Sequence, residues 1–227
     1  MTTQPLSLDH SVEFADNPEP RCACVLLMDT SGSMDGERMN ALNAGLKAFR
    51  DDINKDPLAK RRLEIAIVTF DNEIKVAQDF VTADQFQPPT LVAGGQTYTG
   101  SGILKALEIL EARKAQYRQH GVPYYRPWIF MVTDGEPQGE PDSVIERARQ
   151  DVQAAEKANR VAFFAVGVEG ANMEKLRDTV VRPPVKLIGL NFTEMFIWLS
   201  KSTQAVSKSK TSDTGQVALP PPGWGTV

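Results

Sequence analysis

Histidine and cysteine are nearly missing from this sequence, with two of each in 227 residues. That shortage removes most of the groups that nucleophilic and soft-metal chemistry draws on. A serine or cysteine nucleophile needs a base beside it, and His10 and His120 fall in an N-terminal arm and a stretch with Gly121 and Pro123 that reads as an exposed loop. Cys22 and Cys24 stand two apart on a predicted strand, where their side chains share a face but do not bridge easily. They read as small core or edge residues, and a reducing compartment fits them. Basic clusters are also scarce. A net charge of -4, with no Lys/Arg run beyond Lys60-Arg61-Arg62, argues against a nucleic-acid partner, whose phosphates need a dense basic patch. No stretch approaches the roughly 20 apolar residues of a membrane span, and the first ten residues lack the basic and apolar regions of a secretory signal. A soluble, cytoplasmic chain is therefore expected. The Gly-Lys-Ser/Thr of a P-loop is absent too, so nucleotide hydrolysis would lack its phosphate cradle.

What is present is enough chain to bury a core without disulfide or metal staples. Residues 25–28, 65–70, 128–132 and 161–168 are short apolar runs rich in Val, Ile and Phe, the pattern of strands covered on both faces. Between them, apolar residues recur at helical spacing: Met39, Leu42, Leu46, Phe49 and Ile53; Ile103, Leu107 and Leu110; Val144, Ala148, Val152 and Ala155. This alternation predicts an α/β fold: a doubly wound, mostly parallel sheet with helices on both faces. Asp71-Asn72 reads as a hairpin turn, making residues 73–81 one antiparallel edge strand. A weak last strand is expected at 185–188. Asn191 and Glu194 then read as a capping box opening a final helix that buries Phe192, Met195, Phe196 and Leu199. The expected organisation is an N-terminal arm (1–20), one domain (21–202) and a flexible Ser/Lys/Pro-rich tail (203–227), too polar to pack. Its Pro220-Pro221-Pro222-Gly223-Trp224 favours an extended polyproline II stretch, either inert or able to dock in an aromatic groove.

In parallel α/β sheets ligands bind at the carboxyl ends of the strands. Polar clusters fall at two such ends, Asp29-Thr30-Ser31-Gly32-Ser33 and Thr133-Asp134-Gly135-Glu136-Pro137. A third cluster, Gly94-Gly95-Gln96-Thr97-Tyr98-Thr99-Gly100-Ser101, lies just before a helix. Taken singly, these could be turns held by local Asx and Ser caps. Together, two carboxylates and several hydroxyls without His or Cys make a hard oxygen site suited to Mg²⁺, with Mn²⁺ as the alternative. The carboxylates are those of Asp29 and Asp134, and the hydroxyls are those of the serines and threonines in the three loops. A ligand sphere dominated by neutral hydroxyls leaves the cation under-compensated, so it would seek an anionic oxygen from outside. Glu136 is near enough to touch a partner or merely to fix its loop, and Asp71 reads as a hairpin residue.

Asp29-x-Ser31-x-Ser33, the Thr in a Gly-rich loop and Thr133-Asp134-Gly135 resemble the metal-ion-dependent adhesion site of von Willebrand factor A-type domains. Across residues 21–200, "FDN", "FQPP", "AGGQT" and "TDGEP" are similar to the TerY-like branch associated with tellurium resistance. The resemblance implies that Ser31, Ser33 and Thr97 coordinate the metal through hydroxyls and that Asp29 and Asp134 do so directly or through water. The loop departs from the family's pattern in offering both Thr97 and Thr99 for the ligand role, and Thr97 is preferred because it stands three residues before Gly100, the family's spacing. The resemblance further implies a role in tellurite or general stress response, with a PP2C-type phosphatase and a protein kinase as candidate partners. The expected function is a metal-dependent protein-interaction module, not an enzyme, to which a partner brings an acidic side chain. A Mg²⁺-dependent phosphohydrolase is the alternative, weakened because a haloacid-dehalogenase-type enzyme needs an aspartate where Ser31 stands. A metal-independent scaffold is the third reading.

Overall fold

The computed structural model describes residues 14, 16–209, 211 and 219–226. Strand β1 (Cys22–Asp29) is buried along its whole length. Cys22, Cys24, Leu26 and Met28 enter one core cluster, while Ala23, Val25 and Leu27 enter a second on the opposite face. This period of two is what makes the strand apolar on both sides. The free thiols of Cys22 and Cys24 lie on the same face, as the two-residue spacing predicts.

The chain continues through α1 (Glu37–Ile53), the short α2 (Ala59–Arg62), β2 (Leu63–Phe70), β3 (Ile74–Thr82), α3 (Thr99–Gln119), β4 (Trp128–Thr133) and α4 (Asp142–Lys157). It ends with β5 (Ala162–Gly167), α5 (Met173–Thr179), β6 (Val185–Leu187), α6 (Phe192–Lys208) and β7 (Gly225–Thr226). Among the described residues one seven-stranded sheet forms in the order β3-β2-β1-β4-β5-β6-β7. The five central strands are parallel, and β3 returns antiparallel on β2 as the Asp71-Asn72 turn predicts. Helices α1 and α6 contribute Leu42, Leu46, Phe49, Phe192, Phe196 and Leu199 to the first core, and α3 and α4 contribute Ile103, Leu110, Ala148 and Val152 to the second. The strand order reverses between β1 and β4, so their carboxyl ends flank a crevice where α/β sheets bind ligands.

The opposite end of the sheet is pinned by a buried charge. Glu64 on β2 is fully buried and accepts from Arg21 Nε at 2.8 Å, from Arg113 Nε at 2.7 Å and from the Tyr117 hydroxyl. Phe14 packs over the Arg113 guanidinium, 4.9 Å from ring centroid to Cζ.

Two local expectations need correction. Helix α6 runs to Lys208, with Ser202, Thr203, Val206 and Ser207 buried, so the polar composition after residue 202 belongs to a packed helix. Thr203 bonds back to the Leu199 and Ser200 carbonyls and Ser207 to that of Gln204, while the buried Ser202 hydroxyl has no hydrogen-bond partner. Residues 219–226 are also held. Trp224 is buried against Trp198, whose indole donates to the Pro220 carbonyl at 2.6 Å, and β7 pairs antiparallel with β6. The end of the expected tail thus closes the sheet's second edge; residues 210, 212–218 and 227 lie outside the described residues, as do residues 1–13 and 15 of the expected arm. Asn191 does cap α6 by position, but its side chain makes no capping hydrogen bond.

Candidate metal centre

The oxygen cluster starts from a buried carboxylate. Asp29 ends β1 fully buried; its Oδ1 accepts from the Ser31 amide at 2.8 Å and its Oδ2 from the Thr133 hydroxyl at 2.6 Å. Thr133 ends the neighbouring β4, so one carboxylate locks the two strand ends of the crevice together. Burial holds the Asp29 carboxyl above the usual carboxylate range against these hydrogen bonds, and the nearby Asp134 charge adds to the effect. Asp29 lies beneath the cavity and does not line it.

From Ser31 the chain makes one 3₁₀ turn, Gly32–Met34, which carries Ser33 around beside Ser31. Their hydroxyls lie 3.0 Å apart, and Ser33 Oγ donates to Asp134 Oδ1 at 2.7 Å. The Gly-rich segment is drawn in by main-chain bonds: Gly32 N to the Gly95 carbonyl at 3.1 Å and Gly94 N to the Thr30 carbonyl at 2.8 Å. Gly95 has φ +79°, and a Cβ there would meet Asn72 Oδ1 at 1.9 Å, so only glycine permits this approach. On the other side Gln138 N donates to the Thr97 carbonyl at 2.9 Å. Gly135 faces both remaining hydroxyls, for a Cβ on it would lie 3.4 Å from Thr97 Oγ1 and 3.9 Å from Ser33 Oγ.

Ser31, Ser33, Thr97 and Asp134 therefore line one open cavity of about 420 Å³, with Asp29 directly behind Ser31. The two competing threonines separate. Thr97 faces this cavity, whereas Thr99, whose buried hydroxyl has no hydrogen-bond partner, lines a different one of about 290 Å³ beside α4 and α5.

Three contacts around this cluster were not legible in the sequence. Arg38, in the first turn of α1, donates through Nη1 to Asp134 Oδ2 at 2.5 Å and to the Ser33 carbonyl at 3.0 Å. Asp71 is more than a hairpin residue: its side chain accepts from Thr30 Oγ1 at 3.0 Å and its carbonyl from Tyr98 N, tying two of the loops together. Glu140 accepts from the Gly100 and Ser101 amides at 2.6 and 3.0 Å, anchoring the third loop to the start of α3. Glu136, also on the cavity rim, is held by Asn172 at 2.6 Å and Lys175 at 2.5 Å.

The buried Asp29 charge has a measurable consequence. A carboxyl whose folded-state pKa is raised stabilises the fold at low pH and loses that contribution as pH rises through the folded value. In chelator, Asp29→Asn should therefore be more stable than the wild type near neutral pH, by on the order of 1 kcal/mol. The gap should narrow toward the ordinary carboxylate range. Urea unfolding at pH 5 and pH 7.5 checks this, and a variant less stable at both would contradict it.

A family model described as von Willebrand factor type A domain matches residues 24–186. Among solved structures, the vWF domain of the type V pili tip protein Mfa5 from Porphyromonas gingivalis aligns with TM-score 0.63 at 12% identity, covering 85% of this chain and 98% of that one. The pilus adhesin SpaC from Lactobacillus rhamnosus GG aligns with TM-score 0.62 at 15% identity over 83% of this chain and 30% of that one. Proximal thread matrix protein 1 from the mussel byssus, solved with zinc in its MIDAS motif, gives TM-score 0.54 at 15% identity over 82% of this chain. The chain spans 48% of that mussel protein, and at these identities the likeness is one of fold.

Proposed function

The chain belongs to the von Willebrand factor type A domain family, and from that premise we propose that it is a metal-dependent protein-interaction module. Ser31, Ser33 and Thr97 would offer hydroxyl oxygens to a divalent cation, and Asp134 and the deeper Asp29 would supply its counter-charge directly or through water. The observation that carries this reading is the convergence of three loops on one cavity, where the hydroxyls of Ser31, Ser33 and Thr97 gather beside the Asp134 carboxylate. Such a donor set fits a hard, octahedral cation, Mg²⁺ or Mn²⁺. Bound there, the ion supplies a Lewis-acidic position for an anionic oxygen from outside. The chain's own residues orient that position: Asp29 fixes the Ser31 amide, Ser33 bridges to Asp134, and Gly135 leaves the hydroxyls uncovered. The fitting partner is a protein presenting an Asp or Glu side chain, with the surrounding loops setting specificity.

Binding is the reading the pilus neighbours favour over catalysis. Similarity to the TerY-like branch supports a narrower proposal: a cytoplasmic role in tellurite or general stress response, beside a PP2C-type phosphatase and a protein kinase. Pull-down of candidate phosphatase and kinase proteins with the wild-type chain tests both levels. Capture is expected in Mg²⁺, with loss in chelator and in Asp29→Asn. Capture that survives chelator would support the scaffold reading instead.

A further inference from the structure

Asp134 is the one cavity-lining carboxylate among the expected ligands, and both its oxygens are already engaged. Oδ1 accepts from Ser33 Oγ at 2.7 Å, and Oδ2 accepts from Arg38 Nη1 at 2.5 Å. The same Nη1 also reaches the Ser33 carbonyl, so one guanidinium spans two residues of the expected ligand set. We propose that Arg38 is a cation built into the metal site, which competes with the divalent ion for Asp134 and thereby sets the site's metal affinity. The proposal rests on the metal-binding reading above.

The two ends of the ion pair are unequal. The Asp134 side chain is fully buried, while that of Arg38 is 30% exposed. Asp134 follows β4 and is fixed by Ser33; Arg38 projects from the first turn of a surface helix on a long, flexible stem. Arg38 is therefore the member that moves. Swinging into solvent, it gives up one charge-assisted contact and regains hydration, whereas Asp134 exchanges one cation for another. The Ser33–Asp134 bond does not need to break, because the donating hydroxyl keeps lone pairs free for a metal.

The charges give the direction. Asp29, Asp134 and Arg38 together sum to -1, and without Arg38 to -2, so the site's pull on a divalent cation rises when the arginine is removed. Of the rim carboxylates, Glu136 is paired with Lys175, and Glu169 lines the same cavity. A contact pair is distinguishable from a general field effect, because a field across open solvent is screened within about 3 Å at 1 M salt while a direct contact on a buried carboxylate is not.

The test is calorimetric titration of Mn²⁺ into wild type and Arg38→Ala at 0.15 M and 1 M NaCl, with circular dichroism confirming an unchanged fold. Arg38→Ala is expected to bind Mn²⁺ at least about ten-fold tighter at both salt concentrations. Equal or weaker binding by Arg38→Ala, or a gain that vanishes at 1 M salt, overturns the competition while leaving the metal reading standing. Absence of Mn²⁺ binding by both proteins overturns the metal reading and this inference with it.

Discussion

Asp134→Ala is expected to bind Mg²⁺ or Mn²⁺ about a hundred-fold more weakly than the wild type, because it removes the one carboxylate among the proposed ligands that lines the cavity. The loss should be specific to the site. Asp134 is held by side chains, Ser33 and Arg38, that can turn to water once it is gone, so far-ultraviolet dichroism should not change. The two threonines give the same experiment an internal control. Thr97→Ala should weaken binding by about ten-fold or more, whereas Thr99→Ala should leave it unchanged, since Thr99 lines the neighbouring cavity and not this one. Equal losses at the two positions would contradict the assignment of Thr97 as the ligand.

The second large effect lies at the far end of the sheet. Glu64→Ala leaves the fully buried Arg21 guanidinium without the carboxylate it pairs with, removes one charged contact from Arg113, and strips the Tyr117 hydroxyl of its acceptor. Breaking a buried ion pair from one side costs about 3–5 kcal/mol, a large part of a typical domain's stability. Urea unfolding should show the loss as a lower midpoint with little change in slope. A change under about 1 kcal/mol would mean that the cluster is not paired as described.

The parallel sheet and the oxygen-rich loops at its carboxyl edge were legible because their causes are local. Residues 25–28 are apolar on both faces, and a strand with that pattern must be covered twice. The three oxygen-rich loops stood out because small, hydroxylated and glycine residues gather where a strand should simply turn. The features that were missed depend on distance along the chain. Arg38 in the first turn of an amphipathic helix looks like a solvated surface charge, and its partner lies 96 residues away. Asp71 bonds Thr30 across 41 residues, so only its hairpin role shows locally. Glu64 breaks the apolar run at 63–70, which moved the predicted start of β2 to residue 65 although the strand begins at Leu63. The last turns of α6 and the short β7 were hidden for a different reason. Thr203 and Ser207 sit on a buried helix face by bonding to the preceding turn, and Trp224 stands among prolines and glycines, so neither leaves an apolar period to read.

The central claim is that the carboxyl edge of this sheet holds a divalent cation through Ser31, Ser33, Thr97 and Asp134 over a buried Asp29. The most direct test is calorimetric titration of Mg²⁺ into the chelator-stripped wild-type chain, with Asp29→Asn in parallel. One bound ion per wild-type chain and a heat signal lost in Asp29→Asn is the predicted result. No binding by the wild type, or binding of equal strength by Asp29→Asn, would contradict it.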